Sequence, residues 1–126
     1  MKKPVFTGTC TALITPFLPS GSIDYAAFDR QMDRQLEAGV DALCVCGTTG
    51  ESATLTEQEH IHLVSHCVSH VAGRCKVVAG SGSNDTASAL YLCQHAHWRS
   101  EMENCSGWKF QSRSSGGVDP EDQGCF

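Results

Sequence analysis

No stretch of apolar residues in this sequence approaches the ~18 needed to cross a bilayer as a helix, which argues against membrane insertion. Basic charge is scarce as well. Nine Lys and Arg stand against 14 Asp and Glu, a formal charge of −5, so the clustered basic excess of a nucleic-acid footprint is missing. Met1-Lys2-Lys3 is followed by Thr, Gly and Pro rather than by an apolar signal core, so no signal peptide is expected. Eight cysteines in 126 residues fall below the roughly 8–10% that marks a disulfide scaffold. The thiols therefore read as reduced and the compartment as cytoplasmic. At 126 residues the chain suffices for one domain with a modest core, but not for a closed eight-stranded α/β barrel of about 250 residues.

Between residue 5 and about residue 97, three strand-then-helix units can be drawn. Val5 to Thr15 is rich in β-branched residues and stops at Thr15-Pro16, where proline removes a ladder donor. The turn cluster Pro19-Ser20-Gly21-Ser22 leads into a helix with Asp24 as N-cap and Ile23 placed to staple onto Phe28. Phe28, Met32 and Leu36 carry its apolar stripe, and Gly39 suits the position just past its end. Ala42 to Cys46 is apolar on both faces, as a parallel strand buried on both sides should be. Thr56 and Glu59 form a capping box for a helix that buries Ile61, Val64, Val68 and Val71 and closes at Gly73. Val77-Val78-Ala79 is a third strand. Gly80 to Ser83 follows it, with Asn84 as expected N-cap of a helix carrying Ala89, Leu90 and Cys93. Strand starts spaced near the ~30 residues of a βαβ unit predict parallel pairing.

From Trp98 the character changes. Residues 98–126 contain no Leu, Ile or Ala and one Val, with five Ser and four Gly. No fourth strand is expected there, and such a segment buries too little apolar surface to offset its ordering entropy, so disorder is expected. Trp98, Trp108, Phe110 and Phe126 would then be exposed.

Two other constellations read as structural. His62, His66 and His70 recur every four residues and line one stripe of the second helix, a spacing that can ligate zinc or nickel. The stripe lies beside the apolar face, where solvated polar residues belong, and no neighbouring carboxylate is visibly poised as a third ligand. A solvated face is expected and no metal. Cys44 and Cys46, two apart on a strand, differ from a redox Cys-x-x-Cys, and Cys10, Cys67, Cys75 and Cys93 lack zinc-ribbon spacing. All read as small buried hydrophobes. Cys105 and Cys125 would be exposed.

The chemistry-bearing stretch is Gly47-Thr48-Thr49-Gly50-Glu51-Ser52, where a parallel strand gives way to a loop, the edge at which α/β folds bind ligands. Glycine-flanked threonines bring hydroxyls and backbone N–H groups together, as a carboxylate or phosphate requires; a tight turn needing Gly and local Thr hydrogen bonds is the alternative. No Walker Gly-Lys-Ser/Thr or dinucleotide fingerprint is present.

Phe6-Thr7-Gly8, Ala12-Leu13-Ile14-Thr15-Pro16-Phe17, Gly47 to Leu55 and Ala79 to Thr86 stand in the order and spacing of the 4-hydroxy-tetrahydrodipicolinate synthase (dihydrodipicolinate synthase) family, which residues 5 to about 97 resemble. The resemblance implies an α/β fold, a partial (β/α)8 TIM barrel of about three βα units. It also implies a class I aldolase-like lyase of the diaminopimelate route to lysine. In that reaction a lysine Schiff base with pyruvate gives an enamine that attacks aspartate semialdehyde. Thr49 would hold the pyruvate carboxylate, and Thr48 would relay a proton between two tyrosines, since one hydroxyl can donate and accept at once. Ser52, Ala53, His60 and Asn84 match positions lining a lysine pocket in feedback-inhibited members, although Ser88 stands where such members often carry a carboxylate. Small-molecule substrates are implied, with no cofactor, no nucleic acid and no membrane partner, and full-length members form homo-oligomers. A sibling aldolase such as N-acetylneuraminate lyase shares the superfamily, but Thr48-Thr49 followed by Glu-Ser-Ala-Thr-Leu is more typical of the synthase.

Departures bear on function equally. Past Ala96 the sequence leaves the family pattern, and the strands that would carry the relay tyrosines, the carboxylate-binding arginine and the Schiff-base lysine are absent. Lys76 opens the third strand at the wrong end, and Lys109 lies in the Ser/Gly-rich stretch. The expectation is a truncated chain, inactive alone, whose residues 98–126 come from a shifted reading frame.

Overall fold

The structure, a computed structural model, describes residues 6–99 and 105–108. Four parallel strands, β1 (Cys10–Ala12), β2 (Ala42–Val45), β3 (Lys76–Gly80) and β4 (Cys105–Trp108), form one sheet in the order β1-β2-β3-β4. Helices α1 (Tyr25–Glu37), α2 (Glu57–Val71) and α3 (Thr86–Arg99) connect them in turn. This is the repeating unit of an α/β barrel.

Local signals fix the helix starts. The Asp24 carboxylate accepts the Ala27 N–H at 2.9 Å, and Ile23 and Phe28 are both buried, so cap and staple are in place. Thr56 and Glu59 complete the capping box of α2, with Thr56 N–H donating to the Glu59 carboxylate at 2.8 Å. At α3 the cap moves by one residue. Asp85, not Asn84, accepts the Ser88 N–H at 2.9 Å and its hydroxyl at 2.8 Å. A carboxylate is the stronger acceptor, and these bonds hold it below its ordinary range.

One face of the sheet is packed by helices. Leu13, Leu43, Val45, Val77 and Ala79 meet Phe28 and Met32 of α1 and Leu63, Val64 and Val71 of α2 in a single core. α2 buries more than its expected stripe, adding His60, Leu63 and Cys67, because it touches α1, α3 and the sheet together.

β1 is far shorter than the Val5–Thr15 run predicts. Beyond it, side chains take over the ladder's work: the Gln31 amide accepts the Ile14 N–H and donates to its carbonyl, both at 3.0 Å. Before it, the Thr9 N–H donates to the Asp41 carboxylate at 2.7 Å. Val5 lies outside the described residues. β2 stops one residue early, at Val45, because Cys46 turns to φ +56°, and β3 runs one residue further at each end than Val77–Ala79.

β4 departs from the expectation of no fourth strand. Cys105, Ser106, Gly107 and Trp108 register with Val77, Val78, Ala79 and Gly80. Parallel pairing is made by backbone groups, so a segment without Leu or Ile can still extend a sheet whose edge is open. The remaining expectations for residues 98–126, including Phe110, Cys125 and Phe126, lie outside the described residues.

Candidate functional site at the carboxyl rim of the sheet

At the carboxyl end of β2 the backbone reverses abruptly. Cys46 adopts φ +56°, the Gly50 N–H donates to the Gly47 carbonyl at 3.1 Å, and the Glu51 N–H donates to the Thr48 carbonyl at 3.0 Å. Glu51, again at φ +56°, redirects the chain into a 3₁₀ turn, Ser52–Thr54, ahead of α2. Two non-glycine residues in left-handed conformations within six positions store strain, which persists only where the surroundings enforce it. Thr48 and Thr49 occupy the tip between them and are exposed. Among the described residues neither hydroxyl has a hydrogen-bond partner.

Neighbouring strand ends hold this loop. From the β1 side, the buried Thr15 hydroxyl donates to the Gly50 carbonyl at 2.7 Å. Gly50 has no room to spare: a Cβ there would lie 3.1 Å from the Leu13 carbonyl oxygen. From the β3 side, Gly80 packs directly on the Cys46 carbonyl, where a Cβ would collide with backbone. His60 of α2, only 2% exposed, closes the circuit. Its Nε2–H donates to the Gly80 carbonyl at 2.6 Å, and its own carbonyl accepts the Cys46 thiol at 3.8 Å. The ends of β1, β2 and β3 are thus tied together beneath the two threonines.

Electrostatics leave this base inert. Burial pushes the His60 imidazole below its ordinary range, with the Gly80 carbonyl opposing in part, and raises the Cys46 thiol to about 12. A thiol so protonated is no nucleophile at neutral pH. The chemistry this rim offers is hydrogen bonding through exposed hydroxyls and amides.

Ser52 is half-buried, Ala53 and Asn84 are exposed, and His60 turns to Gly80 rather than to solvent. Lys76 opens β3 in register with Ala42, about 10 Å below the rim at ~3.3 Å per residue. Sequence reasoning missed Thr15, Gly80 and the two positive-φ residues. Gly80 lies within the motif Ala79 to Thr86, but nothing local says what its missing side chain would strike.

The histidine stripe is also more than a solvated face. His66 Nε2 lies 2.6 Å from Asp29 Oδ1 and His70 Nε2 2.7 Å from Asp33 Oδ1, joining α2 to α1. These carboxylates come from a helix 37 residues away in sequence, so the α2 pattern alone could not reveal them. Among the described residues no three His, Cys, Asp or Glu side chains are arranged to hold a metal ion. A surface groove of about 280 Å³ beside the pairs is lined by Tyr25, His62, Ser65, His66 and Ser69, and no rim residue borders it. Of the cysteines, Cys46 and Cys67 are buried as expected, Cys44, Cys75 and Cys93 are only half-buried, and Cys10 is exposed on the face of β1 opposite to the buried Leu13. No described helix is long and apolar enough to cross a membrane.

Residues 5–100 match the model of the dihydrodipicolinate synthetase family. The chain belongs to this family. It is 46% identical over 93 residues to the 4-hydroxy-tetrahydrodipicolinate synthase of Gluconobacter oxydans, covering 74% of this chain and 31% of that protein. The synthase of Phenylobacterium zucineum is 49% identical over 96 residues, 76% of this chain and 32% of the relative. The crystal structure of dihydrodipicolinate synthase from Aquifex aeolicus superimposes with a TM-score of 0.73 at 42% identity, covering 81% of this chain and 34% of that one. The chain therefore spans about a third of the length of the dihydrodipicolinate synthetase relatives it matches, and its strands and helices are a partial TIM barrel of that family.

Proposed function

We propose that this chain carries the carboxylate-gripping rim of a pyruvate-dependent lyase of the 4-hydroxy-tetrahydrodipicolinate synthase type, and that alone it is not catalytic. The observation behind the reading is the Thr48–Thr49 tip: two exposed hydroxyls without described partners, on a strained loop at the carboxyl end of a parallel strand. Donors fixed in advance bind an anion without a reorganisation cost at the moment of binding. In this reading the Thr49 hydroxyl and N–H hold the carboxylate of pyruvate. The Thr48 hydroxyl passes a proton between two phenols that lie in the part of the barrel beyond this chain. The carbon–carbon bond to aspartate semialdehyde, on the diaminopimelate route to lysine in the cytoplasm, needs a Schiff-base lysine. None of the lysines here stands in the family's position, and Lys76 sits at the opposite end of the sheet.

Two measurements test the two halves. Borohydride reduction in the presence of labelled pyruvate should leave the chain unlabelled; stoichiometric labelling of any lysine overturns the non-catalytic half. Pyruvate titration followed by amide chemical shifts should perturb Gly47 to Glu51 with weak affinity. Thr49→Val, which keeps shape and removes the hydroxyl, should weaken it about tenfold, the ~1.4 kcal/mol of one charge-assisted hydrogen bond. Unperturbed Thr48 and Thr49 amides at saturating pyruvate would sink the gripping half.

A further inference from the structure

Thr15 lies just past β1 and ahead of Pro16, whose ring steers the residue before it into extended backbone. The segment leading to it is fixed as well. The Leu13 N–H donates to the Cys44 carbonyl at 2.9 Å, and the Gln31 amide holds both backbone groups of Ile14. From this footing the buried Thr15 hydroxyl reaches a residue 35 positions away, the Gly50 carbonyl at 2.7 Å. Gly50 is buried too. A Cβ there would come within 3.3 Å of the Thr15 oxygen, so glycine is what lets the two approach.

The consequence runs along the loop. In a trans peptide unit the C=O and N–H point in opposite directions. With the Gly50 carbonyl drawn to Thr15, the Glu51 N–H of the same unit is turned the other way, where it donates to the Thr48 carbonyl at 3.0 Å. That bond holds the Thr48 carbonyl, so the Thr49 N–H of its unit points away from Glu51. No described group accepts that N–H. Hydrogen bonds in such a chain polarise one another, which strengthens the last donor.

We infer that Thr15 is a positioning residue, whose hydroxyl aims the Thr49 N–H out of the loop through the Gly50–Glu51 and Thr48–Thr49 peptide units. The inference rests on the carboxylate reading of the tip and adds the residue that sets the donor's direction. Without the hydroxyl, the buried Gly50 carbonyl loses its partner, and its peptide unit gains by rotating towards water. The Glu51 N–H then leaves Thr48, and the Thr49 N–H loses its aim. What is lost is preorganisation, because Thr15 itself never touches the ligand.

Amide spectra of the full chain without ligand test the aim. Thr15→Val keeps the shape and removes the hydroxyl. It should shift the Gly50, Glu51 and Thr49 amides and speed solvent exchange at Glu51 about tenfold, while the α1 and α2 amides stay in place. Thr15→Ser, which restores only the hydroxyl, should return all three towards wild type. In pyruvate titrations Thr15→Val should bind about tenfold more weakly, and Thr15→Ser near wild type. Unmoved Glu51 and Thr49 amides in Thr15→Val overturn the inference. So does a Thr15→Ser that behaves as Thr15→Val, or moved amides with unchanged pyruvate affinity. Failure of the carboxylate reading looks different: the wild type then ignores pyruvate, and the ligand-free spectra still decide what aims the Thr49 N–H. Should Thr15→Val not fold, the wild type decides through a scalar coupling across the bond from the Glu51 N–H to the Thr48 carbonyl and a slowly exchanging Thr15 hydroxyl proton. Absence of either overturns the inference.

Discussion

At the carboxyl rim, Cys46 and Glu51 hold positive φ, Gly80 packs on a backbone carbonyl, and two hydroxyls are left without described partners. On the outer layer, α1 and α2 begin with satisfied caps, their His66–Asp29 and His70–Asp33 pairs cross the helix interface, and the left-handed Ala72 merely closes the end of α2. The rim is determined by contacts between strands distant in sequence, and the outer layer by signals within a few residues of each helix. Strain and unpaired donors at the rim are what a binding loop needs; water and local caps make the helical layer tolerant.

The sharpest way to break this contrast is at glycine. Gly80→Ala drives a Cβ into the Cys46 carbonyl, and neither backbone can move without opening β2 from β3. The expected loss is about 3 kcal/mol, the upper range of overpacking, read as a fall in the urea midpoint. Gly39→Ala is the control. Gly39 has φ +77° but nothing within 4 Å of its missing Cβ, so only the conformational cost remains, about 1 kcal/mol. Equal losses at the two positions would show that the rim is no tighter than a helix end.

Much of the outer layer was legible. Asp24, the Thr56–Glu59 box and Gly39 fall where short-range chemistry puts them, and the parallel pairing of the first three strands followed from spacing. The threonine loop was also found, because glycine and hydroxyl residues cluster at a strand end. Contacts between distant segments were not legible. The Gln31 amide that ends β1, the Gly80–Cys46 approach and the α1 carboxylates opposite the histidines each depend on two elements meeting. β4 escaped because backbone pairing leaves no apolar signature.

The next largest effect tests His60, the pin beneath the rim. Burial lowers its pKa, so on acidification the unfolded chain takes up a proton near pH 6.5 that the folded chain still refuses. Between that value and the lower folded one, the unfolded state binds more protons, so stability rises with pH and is lost as pH falls below about 6.5. His60→Gln keeps a donor for the Gly80 carbonyl and cannot titrate. It should cost about 1–2 kcal/mol at pH 8 through imperfect packing and flatten the acid arm of the stability curve. An unchanged acid arm would show that another group governs it.

The smallest effect belongs to the outer layer. His66 and Asp29 meet at 2.6 Å, yet each side chain is 34% exposed, so water competes for both and screens whatever charge they carry. A double-mutant cycle with His66→Ala and Asp29→Ala should therefore return a coupling below about 1 kcal/mol at neutral pH, less in high salt. Tyr25 sharpens the reading, since its ring centroid lies 4.7 Å from that of His66 and is also lost to it in His66→Ala. The cycle cancels that contact, because it is present or absent in both arms irrespective of Asp29. A coupling above 2 kcal/mol would mean that the pair is fixed as rigidly as the rim. The tolerance assigned to the helical layer would then have to be given up.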